Sequence, residues 1–162
     1  LADKQKVKQY RVTSTEDLRW KRCQIKSTSL LGNVMHFQQS QEAGVDETIL
    51  YNQHNELTEA SACNVFIVKN EVVVTPPLDN QLLPGITRNM LLDILRKDGT
   101  LQVQERVISM AEVHAADELW LTSSSKDIAP VVELDGQPIG TGSVGDIWLL
   151  AQTLYCANKH TY

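Results

Sequence analysis

A carboxylate, a primary amine and the mouth of a helix are the groups here that can act on one small molecule. Glu59 stands just before an apolar, strand-like run in T-E-A-S-A-C-N-V-F. Gly85-Ile86-Thr87, in L-P-G-I-T-R, opens a predicted helix, where first-turn N–H groups lack intrahelical partners and can hold a phosphate. Lys26, in C-Q-I-K-S, supplies the amine. An acid for a ring nitrogen, a cradle for a phosphate and an amine for an aldehyde are together what pyridoxal phosphate asks of a protein. An amine attacks only when unprotonated, so the ordinary lysine pKa of about 10.4 must fall at Lys26. Burial and the nearby cations of Arg19-Trp20-Lys21-Arg22 would both act that way, although most of that basic run reads as a solvated turn.

The elements that must hold these groups follow from periodicity and punctuation. Lys6 to Thr13 alternates as a half-buried strand. Ser27 or Thr28 caps a predicted helix that runs to about Ala43 and stops at Gly44, with Leu30, Leu31, Val34, Met35 and Phe37 as its apolar face. Lys26 then sits at the positive end of that helix. Glu47 to Tyr51 reads as a strand, Asn52 to Asn55 as a turn, and Leu57-Thr58 as the return toward Glu59. Asn64–Lys69 and Glu71–Thr75 form a predicted hairpin about Asn70, ended by Pro76-Pro77. Thr87 is the expected N-cap of a helix over Arg88–Lys97, with Met90, Leu91, Ile94 and Leu95 inward and Asp98-Gly99 as the stop. Leu101–Val107, Leu119–Thr122 and Ile128–Leu134 read as strands, the last followed by a turn at Asp135-Gly136. Ser109 and Glu112 have capping-box spacing, His114 reads as structural, and a closing helix runs from Gly145 to about Ala157. Strands interspersed with separate helices make the fold class α+β, one domain over residues 1–162.

Composition narrows the partners. The chain's 162 residues suffice for one core. A net charge of −5 gives no basic footprint for nucleic acid. No apolar run approaches the ~20 residues that span a bilayer, and no leader is readable. Cys23, Cys63 and Cys156 are odd in number and far apart, with neither bridge nor zinc spacing. They are expected to be buried small hydrophobes in a reducing cytoplasm, and no metal site is expected.

The spacing E-x-S-x-x-N-V-F, then V-x-T, then L-x-G-I-T-R resembles the signature of the class IV aminotransferases, the fold-type-IV pyridoxal phosphate enzymes. The segment C-Q-I-K-S-T-S-L-L-G-N-V is similar to the active-lysine segment of their D-amino acid branch. The Gly-Gly-Asn-Tyr typical of branched-chain aminotransferases after the lysine is absent. The resemblance implies a barrel-like strand core with flanking helices. It implies that Lys26 is catalytic, bonding the cofactor and moving a proton, and that Glu59 pairs with the pyridine nitrogen. Gly85, Ile86 and Thr87, with Ser123 and Ser124, would anchor the phosphate. The implied reaction is transamination between a D-amino acid, typically D-alanine, and a 2-oxo acid, in a homodimer. Alternatives within the resemblance are aminodeoxychorismate lyase, a branched-chain aminotransferase, or a folded fragment without turnover. Ala60 stands where glycine is common, and Ser61-Ala62-Cys63 where D-amino acid enzymes carry a serine run, which bears on substrate choice. The chain begins Leu1-Ala2-Asp3 without Met, and the resemblance covers only the C-terminal part of the family's usual length. The small N-terminal domain, which carries a phosphate arginine, a tyrosine and the substrate-carboxylate binders, is therefore expected to be missing, and the fragment alone weakly active or inactive.

Overall fold

Short runs rich in Val, Ile and Thr become the strands of a single sheet in a computed structural model that describes residues 3–162. The strands are β1 (Tyr10–Glu16), β2 (Glu47–Tyr51), β3 (Leu57–Ala60), β4 (Asn64–Lys69), β5 (Val72–Thr75), β6 (Gln102–Glu105), β7 (Glu118–Ser123), β8 (Asp127–Leu134) and β9 (Gln137–Pro138). The helices are α1 (Leu31–Glu42), α2 (Ile86–Asp98), α3 (Met110–His114) and α4 (Asp146–Asn158). Leu1 and Ala2 lie outside the described residues.

The strand order is β3-β2-β1-β8-β7-β4-β5-β6, with β9 on β8. β1 runs parallel to β2 and β8, and β5 parallel to β6; the other pairs are antiparallel. The two ends of the order curl toward each other. Glu56, ahead of β3, bridges Ser109, which follows β6, and the Leu57 N–H donates to the Ile108 carbonyl at 2.8 Å. This is the barrel-like core the resemblance implied. Val12, Ile49, Val65, Ile67, Leu119, Leu121 and Val131 fill the inside of the curl. Phe66, Val68 and Trp120, on the outer face, pack with Leu91 and Leu95 of α2 and Trp148 and Tyr155 of α4. Because side chains alternate along a strand, β4 and β7 serve both cores at once.

Local signals place most elements. The hairpin turn falls at Asn70 and Glu71, both at positive φ, which suits the twist of the flanking strands. The Ser109–Glu112 capping box is present. Gly99 closes α2 at φ 76° and its N–H donates to the Leu95 carbonyl. Three expectations shift. The first strand is Tyr10–Glu16 rather than Lys6–Thr13, because Lys4–Lys6 form a short 3-10 turn. The N-cap of α2 is Gly85, not Thr87, which lies inside the first turn. And α1 begins at Leu31 without a side-chain cap.

The face that α1 buries also differs from expectation. Leu30, Leu31, Val34, Met35 and Phe37 are 40–72% exposed. The helix docks instead through Gly32, His36 and Ser40, spaced four apart on one face. A Cβ on Gly32 would stand 3.2 Å from Cγ of Arg19. His36 Nε2 accepts from the Leu18 N–H at 3.2 Å, and the Thr48 hydroxyl donates to the His36 carbonyl at 2.6 Å. An apolar stripe shows that a face needs cover; here hydrogen bonds and a small residue decide which face meets the sheet.

Candidate functional site

The loop between β1 and α1, the bend after β3, the turn into α2 and the turn after β7 converge on one open cleft. Its volume is about 790 Å³, within the usual range for small-molecule sites. Lys26, Glu59, Gly85, Ile86, Thr87, Ser123 and Ser124 all line it, together with Arg19, Asn64 and Thr122.

Glu59 ends up inside because β3 is buried along its whole length. Every polar contact it makes is internal. Arg19 Nη1 donates to its Oε1 at 2.6 Å; the Leu83 N–H and Asn64 Nδ2 donate to its Oε2 at 3.1 and 3.3 Å. Burial pushes the Glu59 carboxyl up to about 7, although the Arg19 charge pulls the other way. The expectation that the basic run is a solvated turn fails at Arg19, whose side chain is 3% exposed. Its guanidinium grips Asp17 through Nε at 3.0 Å and Nη2 at 2.8 Å, and donates to the Gln81 carbonyl at 3.1 Å. Burial opposes the Arg19 charge, but the Asp17 hydrogen bond and the charges of Glu59 and Asp17 outweigh it and raise the pKa. Asp17, which also accepts from the Thr58 hydroxyl at 3.0 Å, is held below its ordinary value by Arg19 against the effect of burial. Planar donors on two sides let one guanidinium serve two carboxylates.

Lys26 is placed differently. It is exposed, in the loop ahead of α1, so the burial expected to act on it is not supplied by the described residues. Nor does Arg19 stand as a spare cation beside it, being already paired.

The start of α2 also lines the cleft. The first intrahelical donor there is Asn89, to the Gly85 carbonyl. The N–H groups of Ile86, Thr87 and Arg88 precede it, and no side chain caps them. Thr87 is buried, with its hydroxyl against that of Tyr155, while Ile86 is 73% exposed. In the turn after β7 the Ser123 hydroxyl accepts from the Lys126 N–H at 3.1 Å and pairs with Ser125; Ser124 is exposed in the same turn. The Thr122 hydroxyl is buried and has no hydrogen-bond partner among the described residues.

Ser61-Ala62-Cys63, in the bend after β3, also line the cleft. Ser61 donates to Glu47, the Cys63 thiol donates to the same carboxylate at 3.7 Å, and Asn33 of α1 donates to the Ser61 carbonyl at 2.8 Å. Only Ala62 of the three is exposed to the cleft. Burial and the Glu47 charge push the Cys63 thiol up to about 12, so it is a packing residue and not a nucleophile. Cys23 is likewise buried; Cys156, expected to be buried, is exposed. His114 faces Asp135 at 3.8 Å and does not line the cleft.

The donor set fits pyridoxal phosphate on its own chemistry. Uncapped N–H groups and an unpartnered hydroxyl suit a phosphate, a buried carboxylate suits a ring nitrogen, and an amine stands on the rim. Sequence reasoning missed Arg19 and Asn64. Asn64 is a letter of the E-x-S-x-x-N-V-F pattern but carries no intrinsic chemistry, and Arg19 was hidden among neighbours that are exposed.

Known proteins are similar to this chain in sequence and in fold. The profile of the amino-transferase class IV family matches residues 2–134. The chain is 39% identical over 140 residues to the D-alanine aminotransferase of Bacillus licheniformis, covering 86% of this chain and 49% of that protein. It is 40% identical over 113 residues to a probable branched-chain-amino-acid aminotransferase of Aquifex aeolicus, covering 70% of this chain and 36% of that protein. Among solved structures, the branched-chain aminotransferase of the archaeon Thermoproteus uzoniensis with norvaline superposes with a TM-score of 0.80 at 30% identity, covering 92% of this chain and 51% of that one. The chain thus spans about half the length of these relatives, or less.

Proposed function

The chain belongs to the class IV aminotransferases, a family that uses pyridoxal phosphate, and on that premise we propose that it carries the cofactor site of a D-amino acid transaminase, with D-alanine and a 2-oxo acid as substrates. The observation that carries the reading is the one cleft that gathers Lys26, the buried Glu59 and the uncapped start of α2. When bound, pyridoxal phosphate supplies an electron sink for a bond at the amino acid's Cα. Glu59 would hold a proton at the ring nitrogen, with Arg19 keeping its carboxylate aimed. The N–H groups of Ile86 and Thr87, with Gly85 leaving room beside them, and the hydroxyls of Ser123 and Ser124 would hold the phosphate. Lys26 would supply the amine for the cofactor's aldehyde and, as a free amine, would move a proton at the substrate's Cα as general base and acid.

The relatives' remaining length matters for activity. In this reading residues 1–162 are the cofactor-binding portion of a longer protein, working as a homodimer in the cytoplasm. Three unbridged cysteines suit such a compartment. No helix of the described residues is long and apolar enough to cross a membrane. The exposed Lys26 and the open cleft are what a second domain would cover, so the chain alone should turn over little. A branched-chain substrate is the second reading, favoured by Leu30, Val34 and Phe37 at the cleft wall.

The test loads the purified chain with pyridoxal phosphate, reduces it with borohydride and maps the label by mass spectrometry. Label on Lys26, and loss of the yellow absorbance in Lys26→Ala, is the expected result. Label elsewhere, or colour that survives the substitution, overturns the assignment. Parallel assays with D-alanine and with L-leucine, each against 2-oxoglutarate, separate the two substrate readings in a longer protein that contains this chain.

A further inference from the structure

We propose that Asn64 is a positioning residue whose side-chain amide sets the distance between the Glu59 carboxylate and the start of α2, so that one side chain couples the two ends of the cleft. The inference rests on the pyridoxal phosphate reading and deepens it. A ligand that carries a ring nitrogen and a phosphate on a short arm spans a narrow range of lengths, so its two contacts must be held within a matching range of separations.

The amide does this through both of its polar atoms. Asn64 Nδ2 donates to Glu59 Oε2 at 3.3 Å and to the Leu83 carbonyl at 2.8 Å, while the Leu83 N–H donates to the same Oε2 at 3.1 Å. Carboxylate, amide and Leu83 therefore close a ring of hydrogen bonds. Asn64 Oδ1 lies against Gly85, where a Cβ would stand only 2.2 Å from it. Glycine at the N-cap lets the helix rest directly on the amide, and any larger residue would push the two apart. Asn64 cannot swing away. It is 6% exposed, begins β4, and is paired across the ladder with Thr122, whose own hydroxyl is buried without a partner among the described residues. Movement at either end is thus transmitted to the other through this amide, acting beside the direct Leu83 N–H bond to the carboxylate.

The experiment compares the parent chain with Asn64→Ala, Gly85→Ala and the double variant. It measures the Kd for pyridoxal phosphate by absorbance titration, beside borohydride labelling of Lys26. Asn64→Ala is expected to weaken binding about tenfold or more, the scale of a lost hydrogen bond to a charged group. Gly85→Ala is expected to weaken it as well. The double variant is expected to bind no worse than Asn64→Ala, because the atom that the new Cβ strikes is gone. Losses that simply multiply in the double variant, or an Asn64→Ala affinity within twofold of the parent, overturn the proposal. Asn64→Asp keeps the shape, loses the Nδ2 donor and sets a second carboxylate beside Glu59. It should move the midpoint of the pH dependence of binding upward; an unmoved midpoint counts against a positioning role. A parent chain that takes no label at Lys26 defeats the cofactor reading itself, whereas a labelled parent with an unaffected Asn64→Ala defeats only the coupling.

Discussion

The two helices that flank the cleft, α1 and α2, both carry an apolar stripe, yet they use it in opposite ways. α2 buries Leu91, Leu92, Ile94 and Leu95 against the outer face of the sheet, which fixes its first turn. α1 leaves Leu31, Val34 and Met35 in the open and docks through Gly32, His36 and Ser40. The end of the cleft built on α2 is therefore preorganised by its own packing. The end built on α1 rests on hydrogen bonds and on Arg19, which fills the space a Cβ on Gly32 would need and donates to Glu59. Rigidity at a site follows what an element is packed against, not how apolar the element is.

The largest test of that contrast is Arg19→Met. It strands Asp17 and Glu59 as buried carboxylates, and breaking such an arrangement costs about 3–5 kcal/mol. Equilibrium denaturation should show the loss; a change under about 1 kcal/mol would mean that α1 does not depend on this pair. Next comes Leu95→Ala in α2, fully buried, expected to lose about 2–5 kcal/mol in the same measurement. A loss near zero would erase the difference between the helices.

The pH dependence comes third. The folded carboxyl of Glu59 lies at about 7, above its ordinary 4.5, so the fold favours its protonated form. Its contribution to stability is full below about 4.5 and is lost as pH rises through about 7. Pairing with a ring nitrogen needs the ionised form, so pyridoxal phosphate binding should run the other way, weakening as pH falls through about 7. Glu59→Gln should flatten both profiles, and a profile that keeps its midpoint in that variant assigns the titration to another group. The smallest effect is expected at Met35→Ala on the open face of α1, within about 0.5 kcal/mol. A loss comparable to that of Leu95→Ala would show that the stripe is covered after all.

Much of this protein is written in local chemistry. Glu47–Tyr51 and Asn64–Lys69 announce themselves by composition, and the hairpin at Asn70 and the stop at Gly99 by residues that tolerate positive φ. The Ser109–Glu112 box is a spacing rule. The seven site residues expected from motif and resemblance all line one cleft: Glu59 from β3, Gly85 to Thr87 from the start of α2, Ser123 and Ser124 from the end of β7 and the turn after it, and Lys26 from the loop ahead of α1. What sequence could not decide is who pairs with whom. Arg19 and Arg22 are the same residue type three positions apart, and only the approach of β3 makes one a buried partner of Glu59 and leaves the other exposed. The stripe on α1 has the right period for burial, but period is a property of one helix, whereas the docking face is a property of the surface opposite. Side-chain periodicity and turn chemistry act over a few residues and can be read along the chain. Desolvation, ion pairing and the choice of a packing face depend on atoms far apart in sequence, and only the folded arrangement brings those together.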